Sequence, residues 1–308
     1  MLEALGADSM EGRATATPGS ERAARWIAER MREYGLEEGG SGSYYQRVPL
    51  ALERTPEGRV LRLLRPGAPD SATRGEPIAD VNVIGIVRGA DSALRDEAVI
   101  VGAHYDHLGI GAPVNGDSIY NGADDDGSGV VAVLEAARAI ASGPPPRRTV
   151  IFLLTTGEEQ RLLGTLWYIE RPVVPLERTV ADLQVEMIGR PDSLAGGVGR
   201  LWLTGYERST MGEQLRAAGV PLVADPRPEF KFFERSDNIA FALQGIPAHT
   251  LSSYGLHPDY HQPSDETERV DFAHFEAAAA AVTRAVRLLA DGERPAWHPG
   301  GRPQLTTP

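Results

Sequence analysis

The sequence predicts an α/β fold, a three-layer sandwich with a mixed, largely parallel central sheet. Three observations predict it. Val81 to Val87 and Ala98 to Ala103 are short runs rich in Val and Ile, the mark of strands buried on both faces. After them strand and helix patterns alternate, as in βαβ units. At 308 residues the chain can bury a substantial core, and no linker divides it, so residues 1–308 read as one domain.

In chain order, Leu2 to Arg13 is polar and helix-like. Ser20 to Tyr34 reads as an amphipathic helix, with Ala24, Ile27, Met31 and Tyr34 on one face and Gly35 as its stop. Tyr44 to Leu52 and Arg59 to Leu64 read as strands, and Arg65 to Ala79 as a Pro/Gly-rich loop. The two buried strands follow. Next come a helix from Ser128 to Ala141 with Ser128 as N-cap, a strand from Thr149 to Leu154, a helix from Leu162 to Arg171 and a strand from Val180 to Met187. The second half gives a strand Arg200 to Thr204, helices Ser209 to Ala218 and Asn238 to Leu243, and a strand Ala248 to Ser252. A last helix, Phe272 to Ala290, has Asp271 as cap, and residues 292–308 read as an extended tail, frayed from Pro295. No internal repeat is found.

Net charge is −12 from 31 basic and 43 acidic residues, with no basic stripe, which argues against a nucleic-acid partner. Seven histidines and no cysteine require any metal site to use imidazole and carboxylate, favouring a catalytic zinc-like ion over a thiolate-bound structural one. There is no 18-residue apolar run, so no membrane span is expected, and Leu2 to Arg13 does not read as a signal peptide.

The stretch Asn121-Gly122-Ala123-Asp124-Asp125-Asp126-Gly127-Ser128-Gly129 places three adjacent carboxylates on the loop entering a helix. They repel one another unless a cation holds them, although acidic residues capping a helix in solvent would look the same. Other acidic and imidazole residues fall near the carboxyl ends of expected strands, where such folds place their sites. His104 and Asp106 follow Ala98 to Ala103, Glu158 and Glu159 follow Thr149 to Leu154, Glu186 ends Val180 to Met187, and His261 follows Ala248 to Ser252. Each alone has an ordinary reading: a satisfied histidine in a loop, or a solvated Glu-Glu at a helix start. His-x-Asp spacing puts both side chains on one face of an extended segment, so Asp106 is placed to steady His104.

This ordered set resembles the zinc aminopeptidases of metallopeptidase family twenty-eight, whose relatives include glutamate carboxypeptidase II and glutaminyl cyclase. The likeness rests on Gly102-Ala103-His104-Tyr105-Asp106-His107, the acidic run, Gly157-Glu158-Glu159, Glu186-Met187-Ile188-Gly189-Arg190, Ser236-Asp237 and Tyr260-His261-Gln262-Pro263-Ser264-Asp265. It implies two zinc ions, or other divalent metals, with His104 and Glu186 on one, Glu159 and His261 on the other, and Asp125 bridging them. It further implies a cis bond from Asp125 to Asp126, Asp106 as orienter of His104, and Glu158 as general base. Three ligand carboxylates against two divalent ions leave one positive charge, which a bound hydroxide neutralises. The chain departs from the family in having Glu186 where Asp is usual and Asn238 where His is frequent, and Arg65 to Asp80 leaves no room for a protease-associated domain.

The implied activity is removal of the amino-terminal residue from peptides with a free amino terminus. The alternatives are a carboxypeptidase or a glutaminyl-cyclase-like enzyme on the same fold, or an inactive interaction domain, which retention of every ligand position argues against. A serine hydrolase fits less well, because Gly127-Ser128-Gly129 lacks the nucleophile elbow. Relatives of this bacterial type are commonly exported, and the sequence itself leaves compartment and oligomeric state open. His107, His249, His257, His274 and His298 are not needed as ligands. His257 reads as a loop histidine or pocket lining, and Phe230, Phe232 and Phe233 as core packing or the wall of an apolar pocket.

Overall fold

The computed structural model describes residues 1–304 apart from 57, 66 and 68–74. Most of the loop expected over Arg65 to Ala79 therefore lies outside the described residues. The helices are α1 (Leu2–Leu5), α2 (Pro18–Glu33), α3 (Gly129–Ser142), α4 (Leu163–Glu170), α5 (Met211–Ala217), α6 (Asn238–Leu243) and α7 (Phe272–Asp291). The strands of the first half are β1 (Glu37–Glu38), β2 (Tyr45–Thr55), β3 (Gly58–Leu63), β4 (Glu76–Val87), β5 (Ala98–His104), β6 (Gly109–Val114), β7 (Asp117–Tyr120) and β8 (Thr149–Thr155). Those of the second half are β9 (Thr179–Val185), β10 (Leu201–Leu203), β11 (Leu222–Ala224) and β12 (Ala248–Ser252).

Among the described residues ten strands form one sheet in the order β11-β10-β12-β9-β5-β8-β4-β2-β3, with β1 beside β4, while β6 and β7 make a separate hairpin. The sheet is mixed, and its parallel part is the centre: β12, β9, β5 and β8 run the same way, whereas β4, β2 and β3 add on antiparallel. The difference follows from the connections. Between β5 and β8, and again between β8 and β9, the chain crosses over through α3 and α4, but only two residues separate β2 from β3, a connection too short for anything but antiparallel pairing.

The central strands are buried along their whole length, and their side chains alternate between two layers. Val99, Val101 and Ala103 of β5, with Val150, Phe152 and Leu154 of β8, pack toward α2, α3 and α7. Ala98, Ile100, Ile151 and Leu153 pack on the opposite face with Tyr168 of α4 and Phe241 of α6. With apolar residues needed on both faces, these strands lose the usual polar alternation, which is why they read as continuous apolar runs.

Three expectations are corrected. Ser128 stands at the N-cap position of α3, but its side chain makes no capping hydrogen bond. Asp126 Oδ1 accepts from Gly129 N at 3.0 Å, while Ser128 Oγ donates to the Asp124 carbonyl at 2.8 Å and accepts from Ile188 N at 2.9 Å. The amino-terminal amphipathic helix begins two residues early, at Pro18, with Thr17 accepting from Ser20 N. The tail from Pro295 is docked rather than frayed. Trp297 pairs with Ser209 and donates its indole N–H to the Gly245 carbonyl, and His298 N donates to the Arg208 carbonyl. Residues 305–308 lie outside the described residues.

Candidate metal centre

The four parallel strands β12, β9, β5 and β8 end on one edge of the sheet, and this edge gathers the residues singled out in the sequence. His104 is the last residue of β5, Glu186 directly follows β9, Glu158 and Glu159 lie three and four residues beyond β8, and His261 lies in the loop after β12. Asp125 arrives from the irregular turn 123–128 ahead of α3, and the Asp125–Asp126 peptide bond is cis.

Asp125 stands between two sets of donor atoms. Its Oδ1 is 3.3 Å from His104 Nε2, and its Oδ2 is 3.2 Å from His261 Nε2, which is also 3.2 Å from Glu159 Oε1. Ligand atoms of His104, Asp125 and Glu186 lie within 4.8 Å of one another, and so do those of His107, Asp125 and Glu159. His104 Nε2 and Glu159 Oε1 are buried and make no hydrogen bond. Buried polar atoms are rarely left so, and an imidazole nitrogen in the one set and a carboxylate oxygen in the other are donors that suit a divalent cation of the zinc type.

Around these atoms the backbone and neighbouring polar groups fix the geometry. His104 Nδ1 is 3.0 Å from the Asp106 backbone carbonyl, and the Asp106 carboxylate is farther away, at 3.8 Å. The orienting group is thus the carbonyl, and the carboxylate expected in that role does another job. It accepts from Thr15 Oγ1 at 2.9 Å and from Glu158 N at 3.1 Å, anchoring the segment that carries Glu158. Asp265 accepts from the backbone N–H groups of Asp124 and Asp125 and pairs with Arg190. Asp124 is fully buried and accepts from Gly189 N and Ser128 Oγ, with His257 Nε2 at 3.0 Å. His257 is therefore a buttress of the acidic turn.

Arg13 is the support that sequence reading missed. It is 1% exposed, and its guanidinium donates to the carbonyls of Tyr105, Leu5, Asn121 and Gly122, tying the amino-terminal segment to the His104 and Asp125 loops. Nothing in its neighbourhood in sequence signals those partners, because each lies far along the chain or offers only a backbone carbonyl.

Burial raises Glu158 well above the ordinary carboxylate range, with Glu186, Asp237 and Glu159 adding to it and His104 opposing. Glu186 is pushed up to about 7 by burial and Asp125, against His104. Burial and Asp125 act to raise Glu159 as well, but His107 and His261 hold it down at about 2. His261 stands at about 10, since Asp125 and Glu159 outweigh the effect of burial.

The description "Peptidase family M28" matches residues 82–286, two thirds of the chain. The chain belongs to this family. A curated relative, the probable lipoprotein aminopeptidase LpqL of Mycobacterium tuberculosis, is 28% identical over 238 residues, covering 68% of this chain and 45% of its own length. The chain thus spans about half the length of the curated relative it matches. Among solved structures, the zinc aminopeptidase BSAP of Bacillus subtilis aligns with a TM-score of 0.66 at 18% identity, covering 95% of this chain and 94% of that one. Glutaminyl cyclase of Porphyromonas gingivalis aligns at 0.63 and 16%, covering 92% and 94%. These two share the M28 fold with this chain.

Beside the centre of this M28 chain a pocket opens next to Glu186, lined by Trp202, Thr204, Phe232, Ser252, Tyr254 and Tyr260. Phe232 is a pocket wall, Phe230 stacks on it from outside, and Phe233 packs in the core layer with Phe241. Ser128 Oγ is buried in the hydrogen bonds described above. Among the described residues no helix is long and apolar enough to cross a membrane.

Proposed function

We propose that this chain is a di-zinc exopeptidase that hydrolyses the amino-terminal residue from peptides. The observation that carries the reading is Asp125, whose two carboxylate oxygens face two different donor sets, each with an imidazole and a glutamate. Family membership and the aminopeptidase names of its relatives support it. His104, Asp125 and Glu186 would hold one ion and Asp125, Glu159 and His261 the other. Bound there, the ions would supply Lewis acidity toward a water and the scissile carbonyl.

Glu158 lines the same open cleft as Asp125, Glu159 and Glu186, without being needed as a ligand. It is the group that accepts a proton from the attacking water and returns it to the leaving amine. The Asp106 carboxylate fixes the Glu158 backbone, and the Asp106 carbonyl sets the His104 ring so that Nε2 faces the cleft. Beyond the ligands the cleft is lined by both signs of charge, Glu158 and Glu234 with Arg161 and Arg235, and Glu234 is the carboxylate there that is free to meet the protonated amine of a peptide terminus. The adjoining pocket receives the side chain of the terminal residue.

Acetylating the amino terminus of a cleaved peptide is expected to stop hydrolysis, and amidating its carboxyl terminus to change the rate little. Liquid chromatography of digests of the three peptides checks this, and the reverse pattern would establish a carboxypeptidase.

One observation favours the cyclase as second reading. Trp202 lines the pocket, and its buried indole N–H has no hydrogen-bond partner, so a glutamine side-chain carbonyl would find a donor there. Loss of ammonia from a peptide beginning with glutamine, without release of that residue, would replace the hydrolase reading with this one.

A further inference from the structure

His107, set aside in the sequence, occupies the innermost wall of the site. Its side chain is 0% exposed, and neither ring nitrogen has a hydrogen-bond partner. A satisfied core histidine would show at least one partner, since an imidazole buried without one is costly. Its Nδ1 lies 3.0 Å from Glu159 Oε1 and 3.8 Å from Asp125 Oδ2. Yet Nδ1 and Oε1 are both without hydrogen bonds, so the ring does not direct its N–H at that oxygen. One cation set between two such unbonded atoms would satisfy both.

The same signature marks His104 Nε2, 3.3 Å from Asp125 Oδ1 and unbonded. Two donors bound at ~2.0–2.1 Å with a tetrahedral angle stand roughly 3.3 Å apart. The four imidazole-to-carboxylate separations, from His107 Nδ1 and His261 Nε2 to Asp125 Oδ2 and Glu159 Oε1, run from 3.0 to 3.8 Å and bracket that value. The His107 and His261 rings meet edge-on, with centroids 5.6 Å apart. Gly122, at φ +57°, lets the loop close over the His107 ring, because a Cβ there would come within 2.5 Å of its carbons.

We propose that His107 Nδ1 is a fourth protein donor to the ion shared by Asp125, Glu159 and His261. The inference rests on the two-ion reading and makes the two positions unequal. Four protein donors serve this one, and three serve the position of His104, Asp125 and Glu186. The four-donor ion is accordingly the last to leave under a chelator.

Cadmium-113 NMR tests this without reference to activity. In the fully loaded protein, proton–cadmium correlation reports each imidazole bonded to metal, while elemental analysis of the same sample counts the ions. Three coupled histidines are expected, two of them on one cadmium, with one lost in His107→Gln. In zinc titrations His107→Ala is expected to weaken one of the two ions by more than the roughly 10–100-fold that loss of an outer hydrogen-bond partner costs. Only two coupled histidines, one per cadmium, would overturn the proposal even if the His107 variants fail to fold. One cadmium per chain bonded to His107 would sustain it while refuting the two-ion reading.

Discussion

Glu158→Gln is expected to retain both metal ions and the native fold and to lose turnover by about 10²–10⁴-fold, the usual worth of a positioned general base. The amide keeps the size of the side chain but cannot take a proton, and the segment is held by its backbone N–H to Asp106, which the substitution leaves in place. Because the base acts mainly in the transition state, KM should change much less than kcat. Glu159→Gln is expected to differ in kind. Its Oε1 is unbonded and faces His107 and His261, and an amide oxygen is a poorer partner for a divalent ion, so one metal is lost. Steady-state kinetics with elemental analysis on both variants separates the roles. An emptied metal site in Glu158→Gln, with turnover restored by added metal, would reverse the assignment.

Removing metal is the second large effect. Asp125 lies within 4.8 Å, ligand atom to ligand atom, of Glu186 on one side and of Glu159 on the other, and Asp126, next in the chain, and Asp106 are buried as well. Their mutual repulsion is then relieved only by protons. A ligand that binds the native state alone adds about 4 kcal/mol of stability at a thousand times its dissociation constant. Loss of two such ions should lower the melting temperature by on the order of 10 °C or more, together with all activity. Differential scanning calorimetry before and after dialysis against a chelator, followed by zinc readdition, measures both. An unchanged melting temperature with activity intact would remove the ions from the account.

The central layer and most of the site were legible because their signals are local. Four of the five expected ligands follow a buried apolar strand, the fifth, Asp125, stands in a conspicuous acidic run ahead of α3, and the strand ends β5, β8, β9 and β12 coincide on one edge. What stayed hidden depends on distant partners. The β6–β7 hairpin projects Ile110 and Val114 outward and carries no alternation to read. The strand β4 begins at Glu76 because it pairs with β2, and its own first residues are polar or Pro. Arg13 is buried by four carbonyls that no spacing rule connects to it. His107 is three residues past His104, but the chain turns between them, so neither strand nor helix periodicity places the two rings on one site. The choice between the Asp106 carboxylate and its carbonyl as partner of His104 is a matter of under 1 Å, below what His-x-Asp spacing can express.

Anomalous diffraction at the zinc edge, from crystals grown with zinc, addresses the central claim most directly. Two peaks are expected roughly 3.5–4 Å apart, one beside Asp125 Oδ1 with His104 and Glu186, the other beside Asp125 Oδ2 with Glu159, His261 and His107. A single peak, or none within reach of Asp125 in protein that retains full activity, would contradict it.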